Sequence, residues 1–177
     1  MHPKFATGGC VCGGVRYRID FAPEHDWKRG PHTCQCTQCR KMSGTLVLHF
    51  HTVQTTEITW VSKTTYAEYN SSADFFRAFC NRCGSSIAWM DRSVESNMEV
   101  ELMAGTFDEE FLVGDRDEED KPLGAYATAL VNPNGDHFHV RNEIQGITDK
   151  DSTEGTRFWK GSKEGAMDKT KSFTKSV

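Results

Sequence analysis

The sequence has no apolar run approaching the length of a membrane-spanning helix, and its opening, Met1 to Gly9, lacks the apolar stretch of a secretory signal. A cytoplasmic location with reduced thiols is therefore expected. It also lacks an excess of positive charge. With a net charge of -4, a pI near 6.0 and no basic, aromatic-lined stretch, it does not suit work that consists of neutralising phosphates, and neither nucleic acid nor membrane is an expected partner. No repeat of fixed period occurs, so a solenoid or propeller is not expected. With 37% apolar residues, the 177-residue chain has enough material for a core of its own without disulfides.

What the sequence does have is short, β-forming segments. Val15, Tyr17, Ile19 and Phe21 alternate with Arg16, Arg18 and Asp20, the period of a strand with one buried face. Leu46 to Phe50, Ile58 to Val61, Thr65 to Tyr69, Phe75 to Phe79, Ile87 to Met90, Met98 to Met103, Ala125 to Val131 and His137 to Val140 are further strand candidates. Gly13-Gly14, Asn70-Ser71-Ser72 and Asn132-Pro133-Asn134-Gly135 separate them with turn chemistry. The expected class is mainly β, built of short antiparallel sheets with few short helices. One such helix is expected at Phe107 to Val113, whose early acids suit a helix start. Asp115 to Lys121, with five acids in seven residues, reads as a solvated loop. The domain is expected to span residues 5–147. Residues 148–177 form a polar extension, partly packed on the domain through Phe158 and Trp159, with its last ten residues frayed.

The seven cysteines carry the chemistry. They fall into three clusters: Cys10-Val-Cys12, Cys34-Gln-Cys36-Thr-Gln-Cys39 and Cys80-Asn-Arg-Cys83. Residues i and i+2 of an extended chain share a face, and a C-x-x-C turn curls its backbone round an ion, helped here by the turn-forming Gly84. Disulfides or ordinary buried thiols are the alternative. The odd count and the expected reducing compartment disfavour disulfides, and unliganded thiols have no reason to cluster. Zinc suits thiolate-rich tetrahedral sites, with an iron–sulfur cluster as runner-up. Two zinc ions per chain are expected. Four ligands close a site, and the two shorter clusters supply them: Cys10, Cys12, Cys80 and Cys83 as a structural zinc site. Cys34, Cys36 and Cys39 remain as a three-thiolate site with an open position, the arrangement catalytic zinc needs, unless His32 or another side chain closes it.

The stretches Gly8-Gly-Cys-Val-Cys-Gly-Gly-Val-Arg-Tyr17, Cys34-Gln-Cys-Thr-Gln-Cys-Arg-Lys-Met-Ser-Gly44, Phe79-Cys-Asn-Arg-Cys-Gly-Ser85 and Ala104-Gly-Thr-Phe-Asp108 resemble the glutathione-dependent formaldehyde-activating family, which also includes the centromere protein V domain and has the Mss4-like zinc-binding fold. The resemblance implies the same division of the cysteines, with Cys34, Cys36 and Cys39 as the catalytic zinc set. It implies a carbon–sulfur lyase of the S-hydroxymethylglutathione synthase type, acting on a thiol such as glutathione and a small aldehyde such as formaldehyde, or on their adduct. Gln35 stands where such proteins often carry histidine or an aromatic, a difference expected to act on the pocket. A non-catalytic zinc scaffold that binds a protein partner is the alternative the same resemblance allows.

Three thiolates leave a zinc unit at net charge -1, which keeps a bound substrate sulfur electron-rich. Arg40 and Lys41 are candidates to offset that charge or to receive a substrate carboxylate, and Ser43 and Gly44 are candidates for ligand contacts or a simple turn. His49 and His51, like His137 and His139, alternate along strand candidates. They read as surface or cross-strand histidines, outside the site.

Overall fold

The computed structural model describes residues 1–93, 99–150 and 155–159. The chain is mainly β. Strands β1 (Phe5–Gly9), β2 (Val15–Asp20) and β5 (Ile58–Lys63) form a small antiparallel sheet in the order β1-β2-β5. The large sheet has eight strands in the order β11-β10-β3-β4-β9-β8-β7-β6. These are β3 (Pro31–Cys34), β4 (Leu48–Gln54), β6 (Tyr66–Ser72), β7 (Phe75–Cys80), β8 (Ser86–Asp91), β9 (Glu99–Met103), β10 (Asp136–Phe138) and β11 (Thr156–Arg157). Helices are short: α1 (Thr37–Ser43), α2 (Glu109–Leu112) and α3 (Ala127–Leu130).

The alternation of the central strands decides what the large sheet does. Ala78, Ala88 and Leu102 lie opposite one another across β7, β8 and β9 and are all buried. With Val53, Ile87 and Val100 they join Ala6, Val15, Tyr17 and Ile19 of the small sheet in one core. Each fully buried aliphatic side chain there stabilises the fold by about 1.5–3 kcal/mol. The neighbouring positions Arg77, Trp89 and Glu101 also lie opposite one another, and by the same alternation they face the other side of the sheet.

The small sheet is locked to the segment after β9. The Arg16 guanidinium donates twice to Asp108, through Nη1 to Oδ1 at 2.7 Å and through Nη2 to Oδ2, and Thr7 Oγ1 donates to the same carboxylate. The Tyr17 hydroxyl pairs with Thr106 Oγ1 at 2.8 Å. Gly8 lies against this contact, where a Cβ would come within 2.3 Å of both Tyr17 Oη and the Thr106 carbonyl. The Gly8-to-Tyr17 and Ala104-to-Asp108 motifs are thus two halves of one packing contact.

Several expectations are corrected. Ala125 to Val131 is no strand: Ala127–Leu130 is helical, with Leu130 N–H donating to the Tyr126 carbonyl at 2.9 Å. A short apolar run fits a buried helix as well as a strand, and its alanines favour the helix. The Phe107 to Val113 helix narrows to α2, and β9 begins at Glu99, with Met98 outside the described residues. Two pairings are parallel, β3 with β10 and β10 with β11, because long excursions of chain separate each pair. Near the end of the described chain, Phe158 stacks on Phe138 at 5.3 Å. The last ten residues lie outside the described residues.

The Asp108 lock has a pH signature. The Arg16 hydrogen bond holds the Asp108 carboxyl below its ordinary value. A group lowered in the folded state stabilises fully above its unfolded value near 4 and loses that contribution as pH falls through the folded value. Asp108→Ala is expected to cost about 1–3 kcal/mol at neutral pH, read by denaturant unfolding, and to flatten the loss of stability that the wild type shows below pH 4.

Candidate metal centres and the cavity between strands

The first cysteine group is made by two connections. Cys10 and Cys12 lie in the β1–β2 turn, and Cys80 and Cys83 lie at the end of β7 and in the turn to β8. Their four sulfurs all lie within 4.8 Å of one another. Cys10 Sγ is 3.5 Å from Cys12 Sγ, which is 3.6 Å from Cys80 Sγ. Four sulfurs around a zinc ion at about 2.3 Å stand about 3.8 Å apart, so the donor set and spacing fit. The sulfurs are set up as acceptors. Val15 N–H donates to Cys10 Sγ at 3.2 Å and Cys83 N–H to Cys80 Sγ at 3.4 Å. The Ser85 hydroxyl beside Cys83 holds that thiol down to about 5. Gly84, at φ 78°, takes the left-handed turn that brings Cys83 back to Cys80.

The second group sits at the other end of the large sheet. Cys34 ends β3, Cys36 caps α1 and Cys39 lies in its first turn. The cap is the Cys36 sulfur, which accepts Cys39 N–H at 3.3 Å, so the C-x-x-C spacing here is that of a capped helix. Cys34 Sγ accepts Cys36 N–H at 3.5 Å. The Cys36 thiol is held far below its ordinary value by hydrogen bonds from Cys34 and Cys39, whereas Cys34 is pushed up. One sulfur of this group thus carries negative charge at the expense of a neighbour. All seven cysteines are unoxidised.

A residue the sequence reading placed outside the site joins this group. A ring nitrogen of His139 and the sulfurs of Cys34 and Cys36 all lie within 4.8 Å of one another. Parallel pairing of β10 with β3, which puts Phe138 beside Cys34, brings it there. His139 has a left-handed backbone, φ 58° and ψ 40°, a conformation that costs a non-glycine residue about 1–2 kcal/mol. Its Nδ1 is buried without a hydrogen-bond partner among the described residues. The local signal was available but ambiguous: a histidine two residues from another reads as strand alternation. His51 and His137, by contrast, are core residues. His51 Nδ1 donates to the Leu130 carbonyl at 2.9 Å, and His137 Nδ1 pairs with Thr33 Oγ1 at 2.7 Å. His32 is no fourth ligand here, since its Nε2 pairs with Thr52 Oγ1 at 2.7 Å and its ring packs between Phe50 and Phe138.

The thiols of the second group open onto a cavity of about 480 Å³ on the face of the large sheet turned away from the core. Arg77, Trp89, Glu101 and Met103 form its floor and Phe138 and His139 line it beside the thiols. Arg77 is 4% exposed, and its Nη2 donates to Cys39 Sγ at 3.5 Å. Its Nε and Nη1 are buried without partners among the described residues. Burial first, then Glu99, pushes the Glu101 carboxyl up to about 8 against the opposing pull of Arg29 and Arg77. Neither residue was found from sequence, because strand alternation marks which side a residue faces and not what that side encloses.

Arg77 takes the place expected for Arg40 and Lys41 as the cation next to the thiols. Arg40 turns away, donating to Gln35 Oε1 at 3.0 Å and to the carbonyls of Leu46 and Asn142. Gln35 is buried and also accepts from Thr148 Oγ1 at 2.7 Å, so it ties the α1 loop to the C-terminal segment and does not line the cavity. Ser43 Oγ donates to the Cys39 carbonyl at 2.7 Å, and Gly44 ends α1 with φ 73°, so both serve the turn.

The two groups differ in what they join, and this yields a mutational contrast. Cys80→Ser removes one of four sulfurs linking segments some 70 residues apart and is expected to lower the thermal midpoint by roughly 10 °C or more, or to abolish expression. Cys36→Ser acts within a six-residue stretch. It is expected to leave a folded protein with one metal where elemental analysis finds two in the wild type. Equal unfolding by both substitutions would show that both groups are structural.

Residues 5–122 match the family described as glutathione-dependent formaldehyde-activating enzyme. Among solved structures, a Rhodobacter sphaeroides protein is similar at a TM-score of 0.46 and 19% identity, over 58% of this chain and 88% of that one. No curated protein matches the chain. With both cysteine groups and the Ala104-to-Asp108 contact inside the matched span, the chain belongs to the glutathione-dependent formaldehyde-activating enzyme family.

Proposed function

We propose that the protein is a zinc-dependent carbon–sulfur lyase that joins a thiol, glutathione in the first instance, to a small aldehyde such as formaldehyde, or cleaves their adduct. Family membership supports the reaction class. The observation that carries the reading to this chain is the cavity, where three cysteines meet a buried guanidinium with free donors and a carboxyl poised near neutrality. An unpartnered buried guanidinium destabilises a fold and is retained only where something else uses its donors. In this reading the unit carrying the chemistry spans residues 5–147, with 148–177 as an extension.

Zinc, when bound by Cys34, Cys36 and Cys39, lowers the pKa of a substrate thiol and holds its sulfur. The chain's own residues do the rest. Arg77 offsets the negative charge of the thiolates through its contact with Cys39 and presents Nε and Nη1 to an oxygen of the substrate. Glu101, protonated at neutral pH, supplies the proton that the aldehyde oxygen takes as the carbon–sulfur bond forms and the carbonyl π pair moves to oxygen. The proton lost by the thiol restores Glu101, so RSH and an aldehyde give the S-hydroxyalkyl adduct with no net acid or base. Run backwards, the Glu101 carboxylate takes the hydroxyl proton and the carbon–sulfur bond breaks. Trp89 and Met103 keep this floor apolar, which strengthens both interactions.

A second reading, a non-catalytic zinc scaffold for a protein partner, is favoured by one observation: a protein side chain, His139, already stands at the second thiol group. The orphaned donors of Arg77 favour the enzyme.

Formation of the glutathione adduct, followed by NMR of the formaldehyde carbon, decides between them. The wild-type rate of formation is expected to fall as pH rises through about 8, where Glu101 loses its proton. Glu101→Gln is expected to reduce the rate by about 10²- to 10⁴-fold and to remove that limb of the profile. No acceleration over the uncatalysed reaction by the fully metallated wild type would favour the scaffold.

A further inference from the structure

His139 lies beyond residues 5–122, the span matched by the family, yet stands with the sulfurs of Cys34 and Cys36 within 4.8 Å. Three further observations concern the same side chain. Its Nδ1 is buried with no partner among the described residues, although a buried imidazole nitrogen ordinarily finds one. Its backbone is left-handed, a conformation that histidine adopts only when its surroundings impose it. Those surroundings are built for the purpose. The flanking residues are held by the last described segment, with Phe158 N–H donating to the His137 carbonyl at 2.8 Å and Val140 N–H to the Phe158 carbonyl at 3.1 Å. Asn142 closes the turn on the His139 carbonyl at 3.0 Å, and its side chain donates to the Gln35 carbonyl between Cys34 and Cys36.

Three sulfurs and one imidazole nitrogen make a complete tetrahedral donor set for zinc. A cavity with an unpartnered Arg77 beside the same sulfurs requires that one position be given up to a ligand from outside. Of the four donors, His139 is the one that is neutral and held on a strained turn. Substrate thiolate is the softer, charged competitor for the ion.

We propose that His139 is the fourth ligand of the metal held by Cys34, Cys36 and Cys39, and that it is a displaceable one, leaving when a substrate thiolate binds. The ligand assignment rests only on a metal at these thiols; the displacement rests on the proposed function. The exchange balances simply: one sulfur–metal bond forms, one nitrogen–metal bond breaks, and the imidazole leaves neutral with its lone pair. In the resting protein His139 excludes water and adventitious thiols from the position. The C-terminal segment through Phe158 positions it.

Cobalt in place of zinc tests this with the full chain, because its visible bands report the ligand set. His139→Gly suits the left-handed backbone, so folding is expected to survive. Wild type is expected to take up two cobalt ions, and the variant to keep both with altered bands that millimolar imidazole restores. Glutathione is expected to change the wild-type spectrum and to bind the variant about tenfold more tightly, since no nitrogen needs displacing. Identical spectra for the two proteins at two cobalt ions each would overturn the ligand assignment alone. A single cobalt in the wild type would overturn both the site and the ligand. A variant with altered bands and a wild type indifferent to glutathione would overturn displacement and the lyase reading together, leaving His139 as the closing ligand of a structural site. Altered bands with unchanged glutathione affinity would overturn displacement alone.

Discussion

The two-sided use of the large sheet is the constraint from which the rest follows. Strands β7, β8 and β9 carry small and aliphatic residues on one face, where Ala78, Ala88 and Leu102 close the core against the small sheet. One step along each strand, the same backbone presents Arg77, Trp89 and Glu101 to the cavity. A slip of one residue would send a guanidinium and a carboxyl into the apolar core, so the register that makes the protein stable is also the one that equips its cavity. Charged groups sit at the centre of the sheet because that is where strands are held on both sides and side chains are most firmly placed.

The two cysteine groups divide labour along the same axis. Cys10, Cys12, Cys80 and Cys83 join the β1–β2 turn to the β7–β8 turn, fixing the small sheet on one end of the large one. Cys34, Cys36 and Cys39 join almost nothing by themselves, being neighbours in sequence. Their surroundings are assembled around them by β10, whose parallel pairing brings His139, and by the sheet floor, which brings Arg77. A group whose removal leaves the scaffold standing is free to change its ligands during a reaction, and a group that bolts two sheets together is not.

The sequence by itself determined the strands with clear alternation, notably β2, and the division of seven cysteines into a four and a three, because both signals are local: period, spacing and turn residues. It also determined the family, through motifs that the structure explains as packing contacts as much as chemistry, such as Arg16 with Asp108 and Gly8 under Tyr17. β1, with its two glycines, and β3, buried at every position, gave no alternation to read. Only the tertiary structure decided which cation meets the thiols, since Arg40 is adjacent in sequence but turned to Gln35, whereas Arg77 arrives from a strand four places away in the sheet. It alone brought His139 to Cys34 across more than a hundred residues, by a parallel strand pairing whose partners share no local pattern. It alone raised Glu101 toward neutrality as well. A pKa of that kind comes from the solvent and charges that other strands exclude or bring close, and no run of sequence records what lies on the far side of a sheet.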